Sequence, residues 1–451
     1  MKVMIIGCGK VGATLADQLW HEGHDLVLID LQADRVATVT NTVDAMGLVG
    51  NGASFAIQSE AGVEHADLLI AVTASDELNL LCCLIAKKAS KCQTIARVRN
   101  PLYSKEINFI KDSLGISMII NPELAAATEI ARLLRLPSAI KIDTFAKGHA
   151  EMLKFKIKPE FGLNQMIISD IINKLKCDVL VCGVERNGEA YIPNGNFVLQ
   201  DGDVISVMAS PKKTSLFFKK IGMNTHQVKN ALIVGGGTIG YYLAKQLLYM
   251  GIEVRIVELK KERCEQLSEL LPTAVIINGD GTDHNLLLEE GLLETEALVT
   301  ITNLDEENIL LALYAKKHTN AKLVTKVTRI AFTDIVKGLD LGSVINPKNI
   351  TADYIVQYVR ATENTLGSNV ETLYKILDEK AEALEFAITK ESEVTNIPLM
   401  KLNLKDSLLL CAINRNHRII TPRGQDVLKV GDTVIVVTTH KGLNSIIDIL
   451  K

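Results

Sequence analysis

Three glycines, Gly7, Gly9 and Gly12, follow the apolar run "KVMII" and open the helix-like run "VGATLADQLW". Glycines at this spacing, where a strand hands over to a helix, suit the wrapping of backbone amides around a pyrophosphate. One makes the tight turn, a second lets the main chain approach the anion, and the third lets the helix pack on the strand. The same loop carries Cys8, Lys10 and Val11. Asp30 closes the next apolar run, where a carboxylate accepts hydrogen bonds from ribose hydroxyls. A carboxylate there repels a 2′-phosphate, so NAD is favoured over NADP. The arrangement recurs 228 residues further on as Gly235, Gly236, Gly237, Thr238, Ile239 and Gly240, with Glu258 in place of Asp30.

Further polar positions repeat with it. "AVTASDELN" aligns with "TITNLDEEN", which sets Thr73, Ala74, Asp76, Glu77 and Asn79 against Thr302, Asn303, Asp305, Glu306 and Asn308. Asp76 and Asn79 stand three apart on one helix face at the carboxyl edge of the sheet, beside the glycine loop, and are expected to line the site. The competing reading is a helix start capped by Ser75 with acidic residues in its first turn. Arg97 and Arg99 end the following strand, and two guanidinium groups there could clamp extra phosphates. The second copy has Lys326 and Thr328 at these places, so the pockets differ in phosphate grip. The first is expected to prefer a polyphosphate such as ATP or ADP, and the second a dinucleotide. Asn51 and Asp280 match in the loops after the third strands, where they can read adenine or ribose.

The elements that must position these residues follow from the same repeat. The offset persists to Pro193 against Pro422 and Asp203 against Asp432, so the chain is a duplicated unit. Within each unit, strands first alternate with amphipathic helices, the rhythm of a parallel sheet. A smaller part follows with strand, helix and hairpin, and Asn187-Gly188 marks a tight two-residue turn. The expected fold is α/β. Rossmann-like domains at 1–137 and 228–362 are each followed by a small α+β domain, at 138–222 and 363–451, with 219–230 as the connection between units. The helix "PELAAATEIARLLRL" is expected to end at Pro137, and Trp20 is expected to be packed.

Composition fits a soluble globular protein, with 23% charged and 47% hydrophobic residues in 451. The net charge of −4 gives no electrostatic case for nucleic acid. No apolar run approaches the length of about 18 residues that suggests a membrane span, and "KVMIIG" at the start reads as a strand with no signal peptide. The eight cysteines are scattered and are expected to be reduced thiols in a cytoplasmic protein. His21 and His24 lack a third ligand nearby, so no metal is expected. No acid/base constellation suited to hydride transfer is visible, so the chain is expected not to be an enzyme.

In order, Gly7 to Gly12, Asp30, "AVTASDELN", "ARVRNP", "INPE" and "VLQDGDVISV" resemble an RCK (KTN) unit. Two such units in tandem resemble the TrkA family, the cytosolic regulatory subunits of Trk-type potassium uptake systems. The resemblance implies lobes that bind NAD(H) and ATP or ADP through Gly7 to Val11, Asp30, Asn51, Thr73, Ala74 and the Arg97/Arg99 pair. In the second unit it implies Gly235 to Ile239, Glu258, Asp280, Thr302, Asn303 and Lys326. It also implies a ring of eight units from four chains, held at the inner face of the membrane by an integral-membrane potassium-translocating subunit that the ring gates. An NAD-dependent oxidoreductase and an RCK regulator of another cation transporter are the alternatives.

Overall fold

The computed structural model describes residues 1–104, 106–223, 226–328, 339, 341–364, 370–377, 380–443 and 445–451. The expected connection 219–230 therefore includes two residues, 224 and 225, that lie outside the described set. The first six strands are β1 (Lys2–Ile6), β2 (Asp25–Asp30), β3 (Ala45–Val49), β4 (Leu68–Ala71), β5 (Gln93–Arg97) and β6 (Met118–Ile120). They form one parallel sheet in the order β3-β2-β1-β4-β5-β6. The near-continuous apolar strands fit burial on both faces: Val3 and Ile5 enter one core, Met4 and Ile6 another. The strand order reverses between β1 and β4, and the loops that follow these two strands leave the sheet at that switch point.

The second set is β7 (Lys141–Phe145), β8 (Ala150–Lys156), β9 (Leu180–Arg186), β10 (Glu189–Tyr191) and β11 (Val204–Ala209), an antiparallel sheet ordered β10-β9-β11-β8-β7. Asn187 and Gly188 both have positive φ, 53° and 79°, as a tight turn between β9 and β10 requires. The second unit repeats both sheets. Strands β12 (Asn230–Val234), β13 (Glu253–Glu258), β14 (Val275–Asn278), β15 (Ala297–Thr300), β16 (Lys322–Lys326) and β17 (Ser343–Ile345) are parallel in the order β14-β13-β12-β15-β16-β17. Strands β18 (Val370–Ile376), β19 (Ala381–Ala387), β20 (Leu408–Arg415), β21 (Arg418–Ile420) and β22 (Thr433–Thr438) are antiparallel in the order β18-β19-β22-β20-β21.

The two Rossmann lobes exchange helices. The helix Pro122–Arg135 closes the first lobe along the chain, yet its apolar face, with Ala126, Ala127, Ile130 and Leu134, enters the core that holds Ala231, Ile233, Leu243 and Leu247 of the second lobe. Reciprocally, the helix Pro347–Asn364 sends Ala352, Ile355, Val356 and Val359 into the core of β1, β2 and the helix Lys10–His21. Polar contacts follow the same path: Arg360 pairs with Glu22 through two hydrogen bonds of 2.9 and 2.7 Å, and Gln18 donates to Asp353 at 3.3 Å. The small lobes also share a core, in which Phe145, Met152 and Cys182 meet Ile376, Leu377 and Cys411. Where helices and small lobes converge lies a cavity of about 630 Å³ lined by Gln18, Glu129, Lys141, Asp143 and Asp353, among others.

All eight cysteines are buried and free. Trp20 is 38% exposed on its helix rather than packed, with its ring edge-on to His21. Among the described residues no helix is long and apolar enough to cross a membrane.

Candidate functional site

In the first lobe the glycine loop has little freedom to be anything else. Gly7 has φ +103°, and a Cβ on it would lie 2.9 Å from the Thr73 amide nitrogen. A Cβ on Gly12 would lie 1.9 Å from the Gly7 carbonyl oxygen, so helix and turn meet only through glycine. A Cβ on Gly9 would meet nothing within 4 Å. Gly9 faces open space, and it is the N-cap of the helix Lys10–His21, with no side-chain cap and no acidic residue in the first turn. The free amides of that turn therefore point into a cavity, carrying the positive end of the helix dipole.

The cavity is about 460 Å³. It gathers Gly7, Gly9, Lys10, Val11, Asp30, Asn51, Thr73, Ala74 and Arg97 from the expected set. Asp30 is held by the Cys8 amide at 2.7 Å and the Gln32 amide at 2.9 Å, which aims its carboxylate at the ends of two loops. Arg97 donates to the Thr73 carbonyl at 3.3 Å and lies 3.8 Å from Glu123. Burial draws its guanidinium pKa below the ordinary arginine value, with Glu123 opposing. Arg97 Nε is buried with no partner.

The remaining expected residues brace the site instead of lining it. Asn79 is fully buried; its Oδ1 accepts from the Thr73 amide and hydroxyl at 2.8 and 2.7 Å, and its Nδ2 donates to the Arg97 carbonyl at 2.9 Å. Asp76 accepts from the amides of Arg99 and Asn100 at 2.9 and 2.8 Å. Arg99 spends its guanidinium on the Ala74 carbonyl and on Asp76. Glu77 accepts from Ser75 and Tyr103, and its own backbone amide first, then Tyr103 and Ser75, hold its carboxyl below the usual range. Ser75 caps the helix through the Leu78 amide at 3.2 Å, so the capping reading of this stretch describes these side chains. Cys8 is a buried thiol with its pKa pushed up to about 12, by burial first and by Asp30 second.

Two cations that line the cavity were not anticipated: Arg35 and Lys348. Arg35 follows Asp30 by five residues, and Arg263 follows Glu258 likewise, so the repeat carried a local signal for it. Lys348 comes from the exchanged helix of the other unit and had none.

The second lobe keeps the frame and changes the charges. Gly235 has φ +115°, and a Cβ on Gly240 would lie 2.4 Å from the Gly235 carbonyl oxygen. Gly237 faces open space and begins an uncapped helix, Thr238–Tyr249. Glu258 accepts from the amides of Gly236 and Lys260 at 2.8 and 2.9 Å, repeating the role of Asp30. Thr302 and Asn308 repeat the Thr73–Asn79 brace at 2.9 Å. Thr238 stands where the first loop has Lys10, and Arg263 donates to the Gly236 carbonyl at 2.8 Å. Lys326 is buried against the Ile301 carbonyl, and burial lowers its pKa. Thr328 is tied to Asp305 through amide and hydroxyl, both at 2.8 Å. Asp280 folds into its own turn, and the Thr282 amide and hydroxyl lower its pKa.

Two Rossmann lobes with uncapped glycine loops, each followed by a small antiparallel lobe, define a tandem RCK architecture. The TrkA-N domain model matches residues 3–122 and 231–347, and the TrkA-C domain model matches 157–222 and 383–451. The chain belongs to the TrkA family. It is 32% identical to Trk system potassium uptake protein TrkA homolog 1 of Methanosarcina mazei, over 97% of both chains. It is 28% identical to Trk system potassium uptake protein TrkA of Haemophilus influenzae, over 98% of this chain and 96% of the relative. Among solved structures the GsuK channel bound to NAD has the same fold, with a TM-score of 0.63 and 17% identity over 98% of this chain and 77% of that one.

Proposed function

We propose that this chain is a nucleotide-binding regulatory subunit that gates a membrane potassium-translocating subunit through ligand-dependent movement of its RCK units. The observation that carries the reading is the pair of uncapped helix N-termini. The first opens, beside Gly9, on a cavity walled by Lys10, Arg35, Arg97 and Lys348 with Asp30 at its rim. Such a site suits an anion attached to a ribose. The names of the TrkA relatives supply the transported ion, and GsuK, an RCK channel bound to NAD, supplies a dinucleotide as ligand class.

On this reading the cation-rich first pocket takes ATP or ADP and the second takes NAD(H). Four chains present eight units to the membrane partner at its cytoplasmic face. No catalytic step is assigned. Occupancy acts by stabilising one arrangement of lobes over another, which needs only a difference in affinity between the two.

Calorimetric titration with NAD⁺, NADH, NADPH, ATP and ADP tests it, on wild type, Asp30→Ala and Glu258→Ala. The expected result is binding of NADH and ATP, exclusion of NADPH, and loss of separable binding events in the two variants. Absence of any binding by the wild type overturns the reading. Potassium flux through a Trk-type subunit reconstituted with and without the chain then tests the gating.

A further inference from the structure

The first pocket is not completed by its own unit. Lys348 lines it from the second unit, placed there by the helix Pro347–Asn364 that packs across on the first lobe. Asn346 fixes the start of this helix by accepting from the amides of Lys348 and Asn349 at 3.1 and 3.4 Å. Lys348 is half-buried and shares the cavity wall with Lys10, and burial first and Lys10 second lower its pKa, so two ammonium groups oppose one another at one site. Asp305 of its own unit attracts Lys348 and offsets part of this cost; a bound polyanion would relieve the rest.

The pseudo-equivalent residue of the first unit has the opposite charge. "INPK" at 345–348 repeats "INPE" at 120–123, so Glu123 stands where the second unit has Lys348. Glu123 lies 3.8 Å from Arg97 of its own lobe, and its field reaches Lys326 of the second. A pair of identical units would give both pockets the same residue, whereas the duplicated chain does not.

We infer that Lys348 is a specificity-determining residue for the first pocket, a cation lent by the second unit that selects ligands by their phosphate charge. This rests on the nucleotide reading above and deepens it. A ligand held by Lys10 from one unit and Lys348 from the other also ties the units together. Its occupancy then passes along the helix to Arg360, which bonds Glu22 of the first unit and lies 3.8 Å from Glu382 of the last small lobe.

The test compares ATP, ADP and adenosine on wild type, Lys348→Gln and Lys348→Arg. A charged hydrogen bond to phosphate accounts for roughly ten- to hundredfold in affinity. Lys348→Gln is expected to weaken ATP by that factor, ADP less and adenosine not at all, with Lys348→Arg restoring ATP. ATP is also expected to slow hydrogen exchange within Pro347–Asn364 in the wild type but not in Lys348→Gln. Equal weakening of all three ligands, or an unchanged ATP affinity in Lys348→Gln, overturns the inference while leaving a nucleotide site in place. A wild type that binds none of them removes the underlying reading, and this one with it.

Discussion

Glu129 is a largely enclosed carboxyl, its side chain 16% exposed, at the convergence of three parts of the chain, and its neutralisation gives a stability change with a definite sign. It lies on the helix Pro122–Arg135 beside the large interdomain cavity, with Asp143 and Lys141 facing it from β7, Arg132 one turn away at 3.8 Å, and Asp353 on the exchanged helix. Burial raises its pKa from 4.5 to about 7, Asp143 and Asp353 add to the rise, and Lys141 and Arg132 oppose it. The unfolded chain releases this proton near pH 4.5 and the folded chain near 7. Stability from the neutral form is therefore complete below 4.5 and is lost as pH rises through 7, at about 1.4 kcal/mol per pH unit. The full loss is about 3 kcal/mol, and residual hydration brings the expected value to about 1–3 kcal/mol. Glu129→Gln keeps the shape and removes the charge. The difference in thermal midpoint between Glu129→Gln and wild type should be near zero at pH 4.5 and grow in favour of the variant to pH 8. A difference that is flat with pH, or that grows on acidification, refutes the assignment of a proton to this carboxyl.

Other expectations are more local. Gly9→Ala should fold with an unchanged melting temperature and lose nucleotide affinity in titration, because its Cβ enters only open space; Gly12→Ala, 1.9 Å from a carbonyl oxygen, should lower the melting temperature itself. Asn79→Ala strands the Thr73 amide and the Arg97 carbonyl and should cost about 2–4 kcal/mol, read as faster hydrogen exchange at Thr73. Arg186→Ala leaves Asp203, only 2% exposed, without its two-pronged partner, and should cost about 3 kcal/mol in denaturant unfolding. Adding Asp203→Asn should recover part of that loss.

The features readable from sequence were those decided within a few residues. Gly7 and Gly12 announce themselves because the turn and the helix contact they serve are next to them in the chain, and Asp30 because it ends the adjoining strand. Asn79 and Asp76 brace the loops instead of lining the pocket, for a reason the sequence hides. A polar side chain at the carboxyl edge of a sheet can face a ligand or satisfy strand-end amides, and the residue type is the same in both cases. The apolar face of Pro122–Arg135 says that the helix is buried but not against which sheet, so its transfer to the other lobe was invisible. Lys348 was hidden by the same exchange. Strand β7, "KIDTF", has only five positions and no regular alternation, since Thr144 and Phe145 break the pattern begun by Lys141, Ile142 and Asp143, so it does not stand out between a helix and a loop.

The exchanged helices also set an order of events during synthesis. Val359 completes the core of the first lobe, yet it follows Pro122 by more than 200 residues. At ribosomal rates of about 5–20 residues per second, that face of β1 and β2 waits roughly 10–50 s beyond the synthesis of Pro122 for its cover. Until then the part of that core which Ala352, Ile355, Val356 and Val359 will cover stays open to water and to other nascent chains. A fragment ending before the exchanged helix keeps that apolar face for good, and it is the fragment that a truncating frameshift would release.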